Sequence, residues 1–297
     1  MMVFKGLSAF PITPAAANGV VDADALRRLL TPLVAAKVDS IGLLGSTGSY
    51  PYLTRAERRR ATDMAIDTAN GTTPILVGVG ALRTDETVQL ALDAKAAGAA
   101  GGLLAPVSYT PLTDDEVFEH FATVARASGL PLWIYDNFST THFKFTPALI
   151  GRLARLPGVV AVKSTAPEPE LAAADLDTMR KAVPAGFSVG YAADWKSVEM
   201  LLAGADAWYS VAAGLFPRSC LAIVRAAQSG NVEETRRLNR EMTPLWDLCK
   251  AFSSLRVMYA LAELRDICRA EPPRPILPLP EAARHKIAET LKGLQLS

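Results

Sequence analysis

The sequence has no excess of charge of either sign. Its 31 lysine and arginine residues balance 30 aspartate and glutamate residues, which leaves a net charge of +1. A nucleic-acid-binding protein needs a basic face and a membrane-surface protein often carries a polybasic segment, so we expect neither partner. Apolar runs as long as a membrane span are missing, and residues 1–14 lack the basic and long apolar regions of a signal peptide. We therefore expect a cytoplasmic protein.

Cysteine and histidine are also scarce. The cysteines are Cys220, Cys249 and Cys268, and the histidines are His120, His142 and His285. An odd number of widely spaced cysteines without a Cys-x-x-Cys pair predicts a reducing compartment and no disulfide framework. Isolated histidines argue against a histidine-rich metal site, although a carboxylate site stays open.

What the 297 residues do contain is one repeated pattern, in which short apolar runs alternate with longer helical segments. The runs are Leu7–Phe10, Ser40–Leu44, Pro74–Gly78, Gly101–Ala105, Pro131–Tyr135, Val159–Lys163, Phe187–Gly190 and Ala207–Val211. Their spacing is that of a βα unit, and apolar strands of this kind belong to a parallel sheet covered on both faces. Eight such units predict an α/β fold, the (β/α)8 TIM barrel.

Capping signals support the helices between these runs. The predicted helices are Ala23–Lys37, Arg55–Asn70, Asp85–Gly98, Asp114–Ser128 and one that begins at Thr146–Pro147. Thr54 with Glu57 forms a Thr-x-x-Glu capping box before the second helix. Thr113 with Glu116 forms another before the fourth. We expect Thr84 to cap the third.

An open, doubly wound sheet is the rival fold. A dinucleotide-binding sheet of that kind needs a G-x-G-x-x-G turn after its first strand, whereas the first strand here runs into Phe10–Pro14. The barrel is therefore the favoured fold.

The pattern changes after about residue 230. Three helices are predicted there, Val232–Lys250, Ser253–Ala270 and Glu281–Leu291, with Glu271–Pro280 as a proline-rich linker. We predict a catalytic barrel domain over residues 1–230 and a C-terminal helical extension over residues 231–297 that packs on it.

The active site of such a barrel lies where the strands end. The apolar sixth strand ends in Lys163, where partial desolvation would lower the pKa of the amine and expose a nucleophile. The fifth strand ends in Tyr135, whose phenol could carry a proton to and from a carbonyl oxygen. The plain structural alternatives are a lysine that reaches out to water and a core tyrosine at the rim.

Two loops after other strands also carry polar groups. Gly45–Ser49 follows strand two, and its glycines bracket hydroxyls that could bind an anion together with backbone N–H groups. It lacks the Gly-Lys-Ser/Thr ending of a P-loop, and an ordinary βα turn is the alternative. Tyr109 lies in a proline-stiffened loop after strand four, where it is either displayed or packed on a neighbour. Arg83 and Tyr191 also follow strands.

Taken together, these residues resemble those of one known family. The Gly-Ser-Thr-Gly turn, a strand-five tyrosine and a strand-six lysine are similar to the dihydrodipicolinate synthase / N-acetylneuraminate lyase family of Schiff-base, pyruvate-handling lyases. Further matches are Phe10–Pro14, Pro74–Gly80 and Gly204–Ala207. The resemblance covers the chain from about Lys5 to Gly230, and the helical tail follows at the position where the family has one.

The resemblance implies a role for each matching residue. Lys163 would form the Schiff base with a 2-oxo acid, and Tyr135 would shuttle protons. Ser46 and Thr47 would bind the acid's carboxylate, and Gly190 would leave room for substrate. The protonated imine would act as the electron sink, so neither a metal nor another cofactor is implied. The family's usual oligomers imply a homo-oligomer, either a tetramer or a dimer.

Several positions depart from the family's named branches. Thr140 stands where the synthase branch has an arginine for the second substrate's carboxylate. Ser108 takes the place of that branch's strand-four tyrosine, which a neighbouring subunit lends, so Tyr109 would have to substitute. Ala192–Ala193 replaces an acidic pair of the sialic-acid branch, whereas Thr165 keeps its Lys-x-Thr pattern.

We therefore hypothesise a Schiff-base lyase, of the class I aldolase or dehydratase type, that acts on a 2-oxo acid with pyruvate as substrate or product. The alternatives are dihydrodipicolinate synthase itself and a catalytically silent barrel that binds a 2-oxo acid. A metal-dependent barrel aldolase is a further, weaker candidate.

Overall fold

Eight parallel strands close into a barrel in chain order in a computed structural model, which describes residues 5–294 and 296–297. The strands are β1 (Gly6–Ala9), β2 (Ser40–Leu43), β3 (Ile75–Gly78), β4 (Gly101–Leu104), β5 (Leu132–Asp136), β6 (Val159–Thr165), β7 (Ser188–Ala192) and β8 (Ala207–Ser210). Each predicted strand is present, and no end is shifted by more than two residues. The predicted TIM barrel is therefore confirmed.

Helices follow the strands and cover the outside of the barrel. They are α1 (Ala23–Ala36), α2 (Arg55–Ala69), α3 (Thr84–Ala97), α4 (Asp114–Ser128), α5 (Phe138–Thr141), α6 (Pro147–Leu153), α7 (Ala172–Ala182), α8 (Asp194–Leu202), α9 (Pro217–Gln228), α10 (Val232–Glu241), α11 (Thr243–Phe252), α12 (Ser254–Leu264) and α13 (Glu281–Lys292). Among the described helices, none is both long and apolar enough to cross a membrane.

The capping predictions were right in part. Thr113 and Glu116 form the complete capping box of α4. At α2 only half of the box forms, because the Glu57 carboxylate accepts the backbone N–H of Val21 at 2.7 Å instead of reaching back to its own cap. The prediction for Thr84 was wrong, because it is the first residue of α3 and its hydroxyl pairs with His120 Nδ1 at 2.9 Å.

The C-terminal extension contains shorter helices than predicted. The expected helix 232–250 is two helices, α10 and α11, that meet at Met242, with a proline in the first turn of α11. The expected helix 253–270 ends at Leu264. Ser253 joins α11 to α12 with φ 72° and ψ 128°, which interrupts the helical path.

The extension shares the main hydrophobic core with the barrel helices and strands. The indole of Trp246 on α11 packs edge-on against that of Trp208 on β8, with ring centroids 6.4 Å apart. The hydroxyl of Tyr259 on α12 donates to the carbonyl of Thr13 at 3.4 Å. These contacts hold the extension on the barrel, and the domain boundary at residue 230 stays a prediction.

A second, smaller core fills the inside of the barrel. Side chains alternate along each strand, so every second residue points inward. Phe10, Trp133, Tyr135 and Tyr209 pack together there. Gly42 makes room for the Phe10 ring, because a Cβ atom at this position would lie 2.1 Å from the ring's Cζ. This aromatic layer forms the floor of the candidate site.

Candidate active site

Lys163 lies on β6 inside the barrel and is 4% exposed. Its Nζ sits 3.4 Å from the centre of the Phe10 ring and 5.1 Å from that of Tyr135. Burial lowers the pKa of this amine from 10.5 to about 7, and the charge of Asp194 opposes that shift. A substantial fraction of the amine is therefore neutral near pH 7, which makes it a nucleophile. The prediction that the lysine is desolvated agrees with this placement.

Tyr135 stands beside Lys163 because the two are partners in the parallel register of β5 and β6. The hydroxyl of Tyr135 donates to Ser46 Oγ at 3.0 Å and accepts from Asn137 Nδ2 at 3.0 Å. The phenol is thus held between one donor and one acceptor, with its oxygen pointing toward the loop after β2. This chain of hydroxyls can pass a proton.

Ser46 and Thr47 line the same cavity as Lys163 and Tyr135. In the described part of the chain, their backbone N–H groups donate to no acceptor. Two hydroxyls and two amide donors beside a buried amine suit a carboxylate, since charge-assisted hydrogen bonds are the stronger ones.

Asp194 is a site residue that the sequence reasoning missed. It begins α8 and is 5% exposed, with Oδ1 accepting from Trp208 Nε1 at 3.0 Å and Oδ2 from Ala212 N at 2.8 Å. Burial raises the pKa of its carboxyl, and these hydrogen bonds oppose the shift. The available signal was an acid at the first helical position after a strand of the barrel.

Of the other residues that the sequence suggested, some line the cavity and some lie elsewhere. Thr165 lines the cavity. Gly190 is not among the lining residues, because a Cβ atom there would meet Tyr209 Cε2 at 2.5 Å, so the ring of Tyr209 takes the space beside it. Tyr191 points elsewhere and donates to Asp175 at 2.7 Å, and Arg83 pairs with Asp85 at the surface.

Tyr109 is 98% exposed and lies outside the cavity. Ser108, its neighbour, donates its hydroxyl to the carbonyl of Thr110 within the same loop. The predicted catalytic role of Tyr109 therefore needs a second subunit, and it stays a prediction.

The cavity above Lys163 has a volume of about 680 Å³. One part of the lining follows β5 and includes Asn137, Thr140 and Thr141, and another part comes from the C-terminal extension. The residues that the extension contributes include Lys250, Ser253, Ser254, Leu255, Arg256 and Ile276. The sequence reasoning assigned none of them, because their order along the chain carries no signal of proximity to Lys163.

Comparison with known proteins agrees with this geometry. The sequence model of the Dihydrodipicolinate synthetase family matches residues 3–294. The 4-hydroxy-tetrahydrodipicolinate synthase of Methylococcus capsulatus is 31% identical over 253 residues, which cover 85% of this chain and 86% of that protein.

Solved structures give the same result. The crystal structure of a dihydrodipicolinate synthase from Agrobacterium tumefaciens superposes with a TM-score of 0.96 and 52% identity over 98% of both chains. A chloride-inhibited dihydrodipicolinate synthase from Acinetobacter baumannii, solved in complex with pyruvate, has a TM-score of 0.89 and 27% identity over 97% of this chain and 98% of that one.

Proposed function

The chain belongs to the dihydrodipicolinate synthetase family and is a lyase of that family, and on this premise we propose that Lys163 forms a Schiff base with a 2-oxo acid. Pyruvate is the substrate or the product, which the pyruvate complex of a relative supports. The observation that carries the proposal is the buried Lys163 amine, with its pKa lowered to about 7, beside the Tyr135 hydroxyl.

The covalent step needs a neutral amine and a proton relay. Nζ of Lys163 adds to the C2 carbonyl and forms a C–N bond, while the carbonyl oxygen takes a proton from Tyr135. One of the two protons on the Lys163 nitrogen then passes to that oxygen, which leaves as water, and the nitrogen keeps the other proton in the protonated imine. Tyr135 regains its proton from solvent water through the hydroxyl of Ser46, to which it is hydrogen-bonded. Ser46 and Thr47 hold the carboxylate of the acid.

The protonated imine then accepts the electron pair of the C3–C4 bond. Cleavage of the C3–C4 bond leaves an enamine and releases C4 as an aldehyde, while the proton of the C4 hydroxyl leaves through the Tyr135–Ser46 relay. The reverse sequence joins the enamine and the aldehyde. The imine is the electron sink, so we propose a reaction that needs no metal and no bound cofactor.

Borohydride trapping with pyruvate tests this proposal. The expected adduct has the mass of pyruvate minus water plus two hydrogens, and peptide mass spectrometry should place it on Lys163. Lys163→Ala should give no adduct, whereas Lys144→Ala, which removes an exposed lysine outside the cavity, should still be labelled. A fully active Lys163→Ala variant would refute the mechanism.

The position of Tyr109 favours a second candidate, a barrel that binds a 2-oxo acid without turnover. Its phenol is exposed and does not reach the cavity of its own chain, so a relay that depends on it is incomplete there. Saturable pyruvate binding with no borohydride adduct and no product from a panel of 2-oxo acids would establish this alternative.

We also propose a cytoplasmic homo-oligomer, either a dimer or a tetramer, in which Tyr109 meets a second copy. The exposed side chains of Leu82 and Tyr109 lie on neighbouring loops after β3 and β4 and support such a contact. Light scattering should give a mass that is a multiple of the 31.7 kDa chain. A Tyr109→Phe variant keeps the ring that would pack in the interface and removes the hydroxyl. It therefore separates the effect on assembly from the effect on proton transfer.

A further inference from the structure

The charges that line the cavity above Lys163 are unevenly placed. In the described part of the chain, the charged lining residues are Lys163, Asp194, Lys250 and Arg256. Asp194 is the one acid among them, and its two oxygens already accept hydrogen bonds from Trp208 and Ala212. The two remaining cations both belong to the wall that the C-terminal extension provides. The cavity therefore offers an anion two cations on the extension in addition to the reacting amine.

Arg256 is the better placed of the two. It lies in the first turn of α12, is half-buried, and its Nε donates to the carbonyl of Leu277 at 3.1 Å. That bond anchors one edge of the guanidinium, and its other nitrogens have no hydrogen-bond partner among residues 5–294 and 296–297. Among the described residues, no carboxylate forms an ion pair with Arg256, whereas exposed Lys250 pairs with Asp247 at 2.7 Å. A partly buried and anchored arginine is suited to bind a carboxylate through two parallel hydrogen bonds.

The wall that follows β5 offers no comparable cation. Thr140 lines the cavity there, and its hydroxyl donates to the carbonyl of Asn137 at 3.2 Å. Asn137, Ser139 and Thr141 are neutral as well. Pyruvate, with six non-hydrogen atoms, fills a small part of a cavity of about 680 Å³. The cavity therefore has room for a longer substrate, and beyond Lys163 the cations of its lining come from the extension.

We propose that Arg256 binds the distal carboxylate of an acidic substrate, so that the enzyme acts on 2-oxo acids with a second carboxylate at the far end of the chain. This inference rests on the proposed Schiff base at Lys163, which fixes the 2-oxo end. Arg256 is then the specificity-determining residue of the far wall, and Lys250 contributes a weaker, solvent-screened attraction.

Borohydride trapping on three chain-matched pairs of 2-oxo acids tests this inference. The dicarboxylates are 2-oxoglutarate, 2-oxoadipate and 2-oxopimelate, and their neutral-ended partners are 2-oxopentanoate, 2-oxohexanoate and 2-oxoheptanoate. For at least one length, the half-saturating concentration should be about 10- to 100-fold lower for the dicarboxylate, as expected for hydrogen bonds to a charged group. Pyruvate serves in the same assay as the substrate without a distal group.

Arg256→Gln should abolish most of this preference and leave trapping of pyruvate and of the neutral partners unchanged. Glutamine can still donate to the Leu277 carbonyl, so the local contact is preserved. Arg256→Lys should keep part of the preference. Arg240→Gln removes the same charge from an exposed residue outside the cavity and should have no effect.

The possible failures are distinguishable. If pyruvate labels Lys163 but wild type shows no dicarboxylate preference at any length, or Arg256→Gln retains it, the inference is wrong and the proposed function stands. A parallel loss of trapping for all acids in Arg256→Gln would indicate structural damage and contradict a specific role. If pyruvate itself gives no adduct at Lys163, the proposed function falls and the inference falls with it.

Discussion

The two ends of the cavity are built in different ways. The end at Lys163 consists of strand residues that are buried and fixed by the register of β5 and β6. The end at Arg256 consists of helix ends and the segment around Ile276, and its side chains are half-buried or exposed. The buried end can shift a pKa by desolvation, whereas the open end can only bind and select. Chemistry and specificity are therefore carried by separate parts of the fold.

Among the variants that test this contrast, Lys163→Met is expected to have the largest effect. We expect turnover to fall by at least about a thousandfold, because the nucleophile is lost. The free energy of unfolding, in contrast, should increase. The pKa of Lys163 is about 7 in the folded protein and near 10.5 in the unfolded chain, so between these values the unfolded chain binds a proton that the folded one does not. The contribution of Lys163 to wild-type stability therefore rises with pH across that window.

Replacement of the lysine removes the free-energy cost of burying an amine that is protonated in the unfolded chain. At pH 6 the variant should be more stable than wild type by on the order of a few kcal/mol, and the gap should narrow as the pH approaches 10. Chemical denaturation at several pH values measures it. Lys144→Met, at an exposed position, is the control and should show no such pH-dependent gap. A gap that stays constant from pH 6 to 10 would contradict the proposed desolvation of the amine.

Tyr135→Phe is expected to have the next largest effect. It removes the hydroxyl between Ser46 and Asn137 and leaves the ring in place. We expect kcat to fall by about 10²- to 10⁴-fold, since general acid–base catalysis contributes that much, while borohydride still traps a slowly formed adduct. Single-turnover kinetics would separate imine formation from later steps. An unchanged rate of imine formation would remove Tyr135 from the proton relay.

Asp194→Asn should alter the pH profile more than the maximal rate. The Asp194 charge raises the pKa of Lys163, so its removal should move the acidic limb of the kcat/KM profile to lower pH. The amide cannot accept from both Trp208 and Ala212, which should cost about 1–3 kcal/mol of stability. An acidic limb that stays in place, with the variant folded, would show that another group controls the lysine.

Lys250→Gln should have the smallest effect. Its ion pair with Asp247 is an exposed i,i+3 pair on α11, and such pairs contribute about 0–1 kcal/mol. We expect no change in trapping of pyruvate and a loss of less than about threefold for a dicarboxylate, more marked at low salt. Melting curves and trapping at two salt concentrations would measure both. A loss as large as that of Arg256→Gln would move the distal anion site toward α11.

The sequence was a good guide wherever local pattern determines structure. Alternating apolar and polar segments located all eight strands, and Lys163 and Tyr135 stand side by side because both end apolar runs in successive βα units. It was a poorer guide to the ends of helices and to breaks within them. Met242 divides a predicted long helix, and Glu57 leaves its capping box for Val21, a residue brought near by folding.

Thus the sequence by itself determined the barrel, the family and the central pair of the candidate site, because strand period and register are properties of neighbouring residues in a repeating unit. Tertiary structure decided the rest. Phe10 over the Lys163 amine, the buried Asp194, the outward position of Tyr109 and the wall that carries Arg256 depend on how distant segments pack. No periodicity records such contacts, since they are selected by the burial of apolar surface across the whole chain.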